Sequence, residues 1–390
     1  MRLSRRSAWP TEPSAWARAV ERAHARGELL DLSGSNPTEL ELLHPAELLA
    51  ALGDPGGARY APEPMGLASA REAVAEHYAR RGRAVDPDRV WLCASTSEAY
   101  AMLLTLLGDP GDALLVPRPG YPLLDMLGDA TGLRRVPYAL RFDGAWYLDA
   151  TALQATLAAE PRARALVVVA PGNPTGHVPD PDEWNRLRAT AAAHGLPLLV
   201  DEVFADYPLG DRPARVPVLD DGGPCLVLSG LSKVAALPQL KLSWVVMHGA
   251  APELAELRRR AELLADAFLS VATPVQRALP ALLHAAETMQ PRIRARLCAN
   301  LEQLRRARRG TPVDLLPATG GWTALLRLPA LPGLDDLAWA ERLLEAGVLI
   351  QPGFLFDLPA PPRVALSLLT PEPTFARGVA RLLETVRTVT

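Results

Sequence analysis

Lysine is nearly missing from this 390-residue chain: of 41 basic residues only Lys233 and Lys241 are lysines, and all others are arginine. Sites that need only a positive charge have become Arg. A surviving Lys is therefore expected to do what Arg cannot, which is to lose its proton and condense with a carbonyl. Cysteine is also scarce. Cys93, Cys225 and Cys298 are odd in number and lack metal-ligand spacing, which argues against a disulfide framework or a zinc site and for a reducing, cytoplasmic setting. No uncharged apolar stretch reaches the roughly 18–20 residues that span a membrane. Arg2, Arg5 and Arg6 are followed by no apolar segment, so no signal peptide is expected. A net charge of −3 argues against nucleic acid as the main partner. The arginine clusters Arg258-Arg259-Arg260 and Arg305-Arg306 fall on helical patterns and read as solvated faces.

What is present is an ordinary soluble composition, 49% hydrophobic and 22% charged. The length implies two domains. From about residue 45 to 280 short apolar runs alternate with amphipathic stretches. The runs begin at Val90, Ala113, Ala165, Leu198, Leu226 and Trp244 and read as strands buried on both faces. Helical patterns such as Asp182 to His194 lie between them. This alternation predicts an α/β fold with a mostly parallel sheet covered on both sides. From about Ala281 the pattern changes to a long Arg-rich helix followed by a smaller α+β unit. The expected organisation is an N-terminal segment (1–44) packing on a small C-terminal unit (281–390), with a large unit (45–280) between.

The residues after each apolar run carry the chemistry. Ser95 and Thr96 follow the first, Gly120 and Tyr121 the second, and Gly172-Asn173-Pro174-Thr175-Gly176 the third. Asp201 follows the fourth, and Ser229-Gly230-Leu231-Ser232-Lys233 the fifth. In an open α/β sheet ligands bind beyond the carboxyl ends of the strands, so these scattered residues converge on one cleft. Ser95 and Thr96 open a helix whose free N–H groups make an anion cup. Asp201 is a carboxylate at the end of a buried strand and needs a partner.

The segments Tyr60–Gly66, Ala94–Ala99, Pro110–Asp112, Pro119–Pro122, Asn173–Gly176, Asp201-Glu202, Ser232-Lys233 and Gln351–Gly353 together resemble the class I/II aminotransferases, fold-type I pyridoxal-phosphate enzymes, from about Asp31 to Glu384. The resemblance implies a mostly parallel seven-stranded sheet, pyridoxal 5′-phosphate as cofactor, amino-acid and 2-keto-acid substrates, and a homodimer. It implies that Lys233 bonds the cofactor and moves the proton, and that Asp201 pairs with the ring nitrogen. Ser95, Thr96 and Ser229 belong to the cofactor contacts. Asn173 donates to the ring oxygen, Tyr121 stacks on the ring, and Tyr60 reaches the phosphate in the neighbouring subunit. Asn36 belongs to the segment at the site entrance.

Three positions depart from the pattern. Phe204 stands where a Tyr is usual, and Lys241 where an Arg grips the phosphate. Ala365 stands where an Arg two residues before a strand Ser, here Ser367, binds the substrate carboxylate. Arg363 lies on the same strand face as Ala365 and is the expected replacement clamp. The function expected is transamination by ping-pong chemistry. Lyase or decarboxylase chemistry with the same cofactor is the first alternative, and a non-catalytic protein of the same fold the second.

Overall fold

A computed structural model of the chain describes residues 1–217 and 223–389. Strand β1 (Leu30–Asp31) comes from the N-terminal segment. It is followed by β2 (Val90–Cys93), β3 (Ala113–Arg118), β4 (Arg134–Phe142), β5 (Trp146–Leu148), β6 (Ala163–Val169), β7 (Leu198–Asp201), β8 (Cys225–Gly230) and β9 (Ser243–His248). Strands β2 to β9 form one eight-stranded sheet in the order β2-β9-β8-β7-β6-β3-β4-β5. Only β9 and β5 run against their neighbours. The sheet thus has one strand more than expected.

The six apolar runs become β2, β3, β6, β7, β8 and β9. They read as continuous rather than alternating because both faces are covered. Leu115, Leu166, Val200 and Val227 enter one hydrophobic cluster, and their neighbours Leu114, Val167, Leu199 and Leu226 enter another on the opposite face. Strands β4 and β5 are not evident in the sequence. β4 carries Arg134, Arg135 and Arg141 among its apolar residues, contains Pro137 and stays half-exposed near the sheet edge, where proline and charge are tolerated.

A second, antiparallel sheet contains β10 (Asp314–Leu315), β11 (Thr323–Arg327), β13 (Gln351–Pro352) and β14 (Arg363–Ser367) in the order β10-β11-β14-β13. Strand β12 (Val348–Leu349) pairs in parallel with β1, Leu30 opposite Val348. This pairing ties the N-terminal segment to the C-terminal part, and Leu32 and Leu42 share that part's core with Ile293, Leu366 and Phe375. The two sheets are bridged by one 35-residue helix, Thr273–Ala307. Its first half (Val275, Leu279, Leu282) packs with the large sheet and its second (Ile293, Leu297, Leu304) with the small one. The division expected near residue 280 falls inside this continuous helix. Among the described residues no helix is long and apolar enough to cross a membrane.

Candidate active site

Five strands of the large sheet deliver residues to one cavity of about 300 Å³ at their carboxyl ends. Thr96 comes after β2, Tyr121 after β3, Asn173 after β6, Asp201 from the end of β7, and Lys233 after β8. Local sequence explains each placement. Ser95 caps the helix Thr96–Leu107, its hydroxyl accepting from the Glu98 N–H at 3.1 Å. Glu98 reaches back to accept from the N–H of Ala94, the residue before the cap, at 2.6 Å. Asn173 lies in a tight turn closed by the Gly176 N–H donating to the Gly172 carbonyl at 2.7 Å. Gly176 takes φ +63° there, and a Cβ would meet Ala318 at 2.4 Å and the Gly320 carbonyl at 2.7 Å, so glycine is required. At Gly230, just before the lysine turn, a Cβ would meet Ser243 at 2.8 Å.

The two charged groups of the cavity are both perturbed by burial. Desolvation lowers the Lys233 amine from 10.5 to about 8. Its Nζ donates to the Ser35 carbonyl at 3.3 Å and stands 4.7 Å from the Trp322 ring centre and 5.6 Å from that of Phe204. The rings meet edge-to-face at 5.4 Å and exclude water from that side of the amine. Asp201 moves the other way, from 3.8 to about 6, again chiefly by burial. The Val203 N–H donates to its Oδ1 at 3.1 Å and the Tyr100 hydroxyl to its Oδ2 at 3.2 Å. These two donors offset only part of the desolvation, and neither is a cation. The carboxylate therefore has the environment of a group that awaits a positive charge.

The other wall comes from the N-terminal segment and the small sheet. It consists of Ser33, Ser35, Trp322, Thr323, Gln351 and Ser367. Trp322 and Tyr100 escaped the sequence reading. Tyr100 had a usable signal, since it lies one helical turn beyond Thr96 on the same face. Trp322 had none, because only tertiary packing brings the residue after Gly320-Gly321 over Lys233.

Of the residues expected at the site, Lys233, Asp201, Asn173, Thr96, Tyr121 and Phe204 line this cavity together. The others do not. Ser95 spends its hydroxyl on the helix cap. Ser229 is buried inside β8, with Gly230 and Ser232 lining the cavity in its stead. Lys241 is exposed, in the left-handed region at φ +50°, outside the cavity wall. Tyr60 is 80% exposed and borders a different cavity, with Glu63 and Ser270. Asn36 turns back on its own loop, its Oδ1 accepting from the Thr38 N–H at 3.1 Å and hydroxyl at 2.8 Å; Ser33 and Ser35 face the cavity in its place.

Arg363 requires a correction. It is at the far end of β14 from Ser367, about 13 Å along the strand at 3.3 Å per residue. Its guanidinium donates to the Pro359 and Pro361 carbonyls and lies 6.0 Å from the Trp146 ring centre. The Pro-Pro turn that precedes β14 captures it, so it does not reach the cavity. Ala365 packs with Trp146, Leu325 and Phe356 in a small apolar cluster.

A desolvated amine and a carboxylate without a cation, gathered at the carboxyl ends of parallel strands, define a site for a ligand carrying both a reactive carbonyl and a positive charge. The chain belongs to the class I and II aminotransferase family, which it matches over residues 27–382. It is 29% identical to human tyrosine aminotransferase over 252 residues, covering 64% of this chain and 54% of that protein. The chain thus spans about half the length of the tyrosine aminotransferases it matches. With the arginine–pyruvate transaminase of Pseudomonas aeruginosa it shares 29% identity over 368 residues, 90% of this chain and 88% of that one. Its fold matches the alanine aminotransferase of Pyrococcus furiosus with a TM-score of 0.87 at 23% identity, covering 99% and 100% of the two chains. A Thermus thermophilus aspartate aminotransferase matches at 0.85 and 26% identity, again over 99% and 100%. The family implies pyridoxal 5′-phosphate, and the residues fit it: Lys233 suits its aldehyde and Asp201 its ring nitrogen.

Proposed function

We propose that this chain is a pyridoxal-phosphate-dependent aminotransferase, acting as a homodimer in the cytoplasm. The observation that carries the reading is the pairing of opposite perturbations in one cavity, a Lys233 amine lowered to about 8 and an Asp201 carboxyl raised to about 6. When bound, the cofactor supplies an aldehyde for amine exchange and a ring that withdraws electrons from the reacting carbon.

The protein residues do the rest. Lys233, its amine lowered to about 8, would hold the cofactor's aldehyde group, and its Nζ would be the group that takes up and returns a proton. Asp201 would keep the ring nitrogen protonated, because the positive charge would relieve the carboxylate's own burial. Asn173 would donate its amide N–H to the ring oxygen, and Tyr121, which lines the same cavity, would cover the ring. Thr96 and the free N–H groups at the start of its helix would hold the phosphate. Trp322 and Phe204 exclude water around the lysine. In the dimer Tyr60, exposed on the single chain, becomes covered.

Borohydride reduction of the cofactor-loaded protein followed by peptide mass analysis tests this directly. The pyridoxyl group is expected on Lys233. Its absence, or its presence on Lys241, would overturn the assignment. Release of a carbonyl product together with the amine form of the cofactor separates transamination from lyase or decarboxylase chemistry.

A further inference from the structure

The cavity's charges are unevenly distributed. Among the described residues of this chain its only charged lining groups are Lys233 and Asp201. Residues 218–222, Val-Leu-Asp-Asp-Gly, contain no cation. A free amino acid brings a carboxylate on the carbon that reacts. Lys233 is committed to the reaction itself, and Asp201 would repel that carboxylate. The arginines on the adjoining strands β3 and β14 are already engaged. Arg118 adjoins the lining residues Pro117 and Gly120 but is held by Asp125 and, at 2.9 Å, by Asp357. Arg363 is bound by proline carbonyls at the far end of β14.

The wall that faces the large sheet is nevertheless polar. Gln351 Nε2 donates to the Ser33 carbonyl at 3.2 Å, which leaves its amide oxygen free to accept. It lies directly across from Ala365 in the β13–β14 ladder. Thr323 and Ser367, paired across β11 and β14, add two hydroxyls. Hydroxyl and amide groups both donate and accept, whereas a carboxylate only accepts and is costly to take out of water without a cation.

We propose that the amino donor carries a neutral hydrogen-bonding group, an amide or an alcohol, where a free amino acid carries its α-carboxylate, and that Gln351, Thr323 and Ser367 recognise it. The inference rests on the aminotransferase reading and names its substrate class. The transfer balances without a further oxidant. Nitrogen and carbonyl oxygen change places, two electrons pass from the donor carbon to the cofactor carbon, and the donor leaves as the matching amino-free carbonyl compound. Lys233 carries the proton between the two carbons.

The test mixes the cofactor-loaded protein with matched sets under single-turnover conditions: alanine, alaninamide and 2-aminopropanol, then phenylalanine, phenylalaninamide and phenylalaninol. The rate is read from the cofactor's absorbance and the product by mass spectrometry, with calorimetric Kd values for each compound. The amide or alcohol is expected to exceed the matched acid by about 10²-fold in rate constant over Kd. Equal or better use of the acids would overturn the inference and leave the aminotransferase reading intact. Reaction with none of the compounds, while borohydride still labels Lys233, would also overturn it; failure of that labelling would instead remove the reading on which it stands. Gln351→Arg, which puts a cation in the wall, is expected to shift the acid-to-amide ratio toward the acid by at least about tenfold. An unchanged ratio in a folded Gln351→Arg protein would overturn the role assigned to this wall.

Discussion

The two walls of the cavity are built from different material. The large-sheet wall presents Lys233, Asp201, Asn173 and Thr96, each at the end of a buried strand or the start of a helix. The facing wall presents neutral hydroxyls, one amide and an indole, drawn from the N-terminal segment, β11, β13 and β14. The first wall holds both perturbed ionisable groups. The second contributes no charge among the described residues. Under the proposed function this division separates the parts of the reaction: bond making and proton movement would belong to one wall, and selection of the amine to the other. A change on the first should therefore alter rate for every donor, and a change on the second should alter the ratio between donors.

Lys233→Arg should break the comparison most severely. Charge and volume are nearly kept, but Arg cannot condense with an aldehyde. The half-reaction, followed by absorbance in a single turnover, is expected to fall by about 10³-fold or more with every donor. Loss confined to one donor class would contradict the assignment of chemistry to this wall.

Asp201→Asn comes next and acts in two directions. With cofactor bound, the half-reaction is expected to slow by roughly 10²-fold or more, because the ring nitrogen loses its anion. In the cofactor-free protein the same change should stabilise the fold. Asp201 titrates near 6 when folded and near 3.8 when unfolded, so the folded state binds more protons between those values. Stability is therefore lost as pH rises through that window, and the penalty is complete above pH 6. Removing the carboxylate should raise stability above pH 6 by on the order of 2–3 kcal/mol, at 1.4 kcal/mol per unit. Below about pH 4 the difference should vanish. Denaturant melts at several pH values check the sign.

Phe204→Tyr sharpens the boundary between the walls. Phe204 packs edge-to-face on Trp322 and stands near Lys233, yet it has no hydroxyl to offer the ring oxygen. An added donor should favour the deprotonated form of the bound chromophore and lower its spectroscopic pKa by about one unit. No shift would mean that the new hydroxyl points away from the ring.

The smallest effect is expected from Arg363→Ala. Its guanidinium serves the turn before β14 rather than the cavity. kcat/KM should stay within about twofold for all donors, while stability falls by about 1 kcal/mol through lost contacts to the proline carbonyls and Trp146. A large loss of kcat/KM with unchanged stability would restore Arg363 to the site.

Much of the large-sheet wall could be read from the chain alone. Buried parallel strands announce themselves as apolar runs, and the residue after each run is carried to the same edge of the sheet by the parallel arrangement. That is why Asp201, Asn173, Thr96 and Lys233 converge although well over a hundred residues separate Thr96 from Lys233. Strand β4 was missed because its arginines and Pro137 suit a half-exposed strand near the sheet edge and leave no apolar run. Ser229 does not line the cavity whereas Gly230 does, because a strand turns adjacent residues to opposite faces. Asn36 and Ser95 turn their side chains away from the cavity because short polar side chains bond first to their own backbone.

The near-absence of lysine, the strand-end motifs and the turn glycines determined the sheet, the buried lysine and the strand-end carboxylate, since those depend on local pattern and on a topology that repeats. Only the tertiary structure decided the facing wall. Trp322 over Lys233, Gln351 opposite Ala365, and the diversion of Arg363 all arise where β1, β11, β13 and β14 meet, and no sequence period records that packing. Contacts across the two sheets are set by how the two cores dock, and a side chain's direction there depends on which neighbour captures it first.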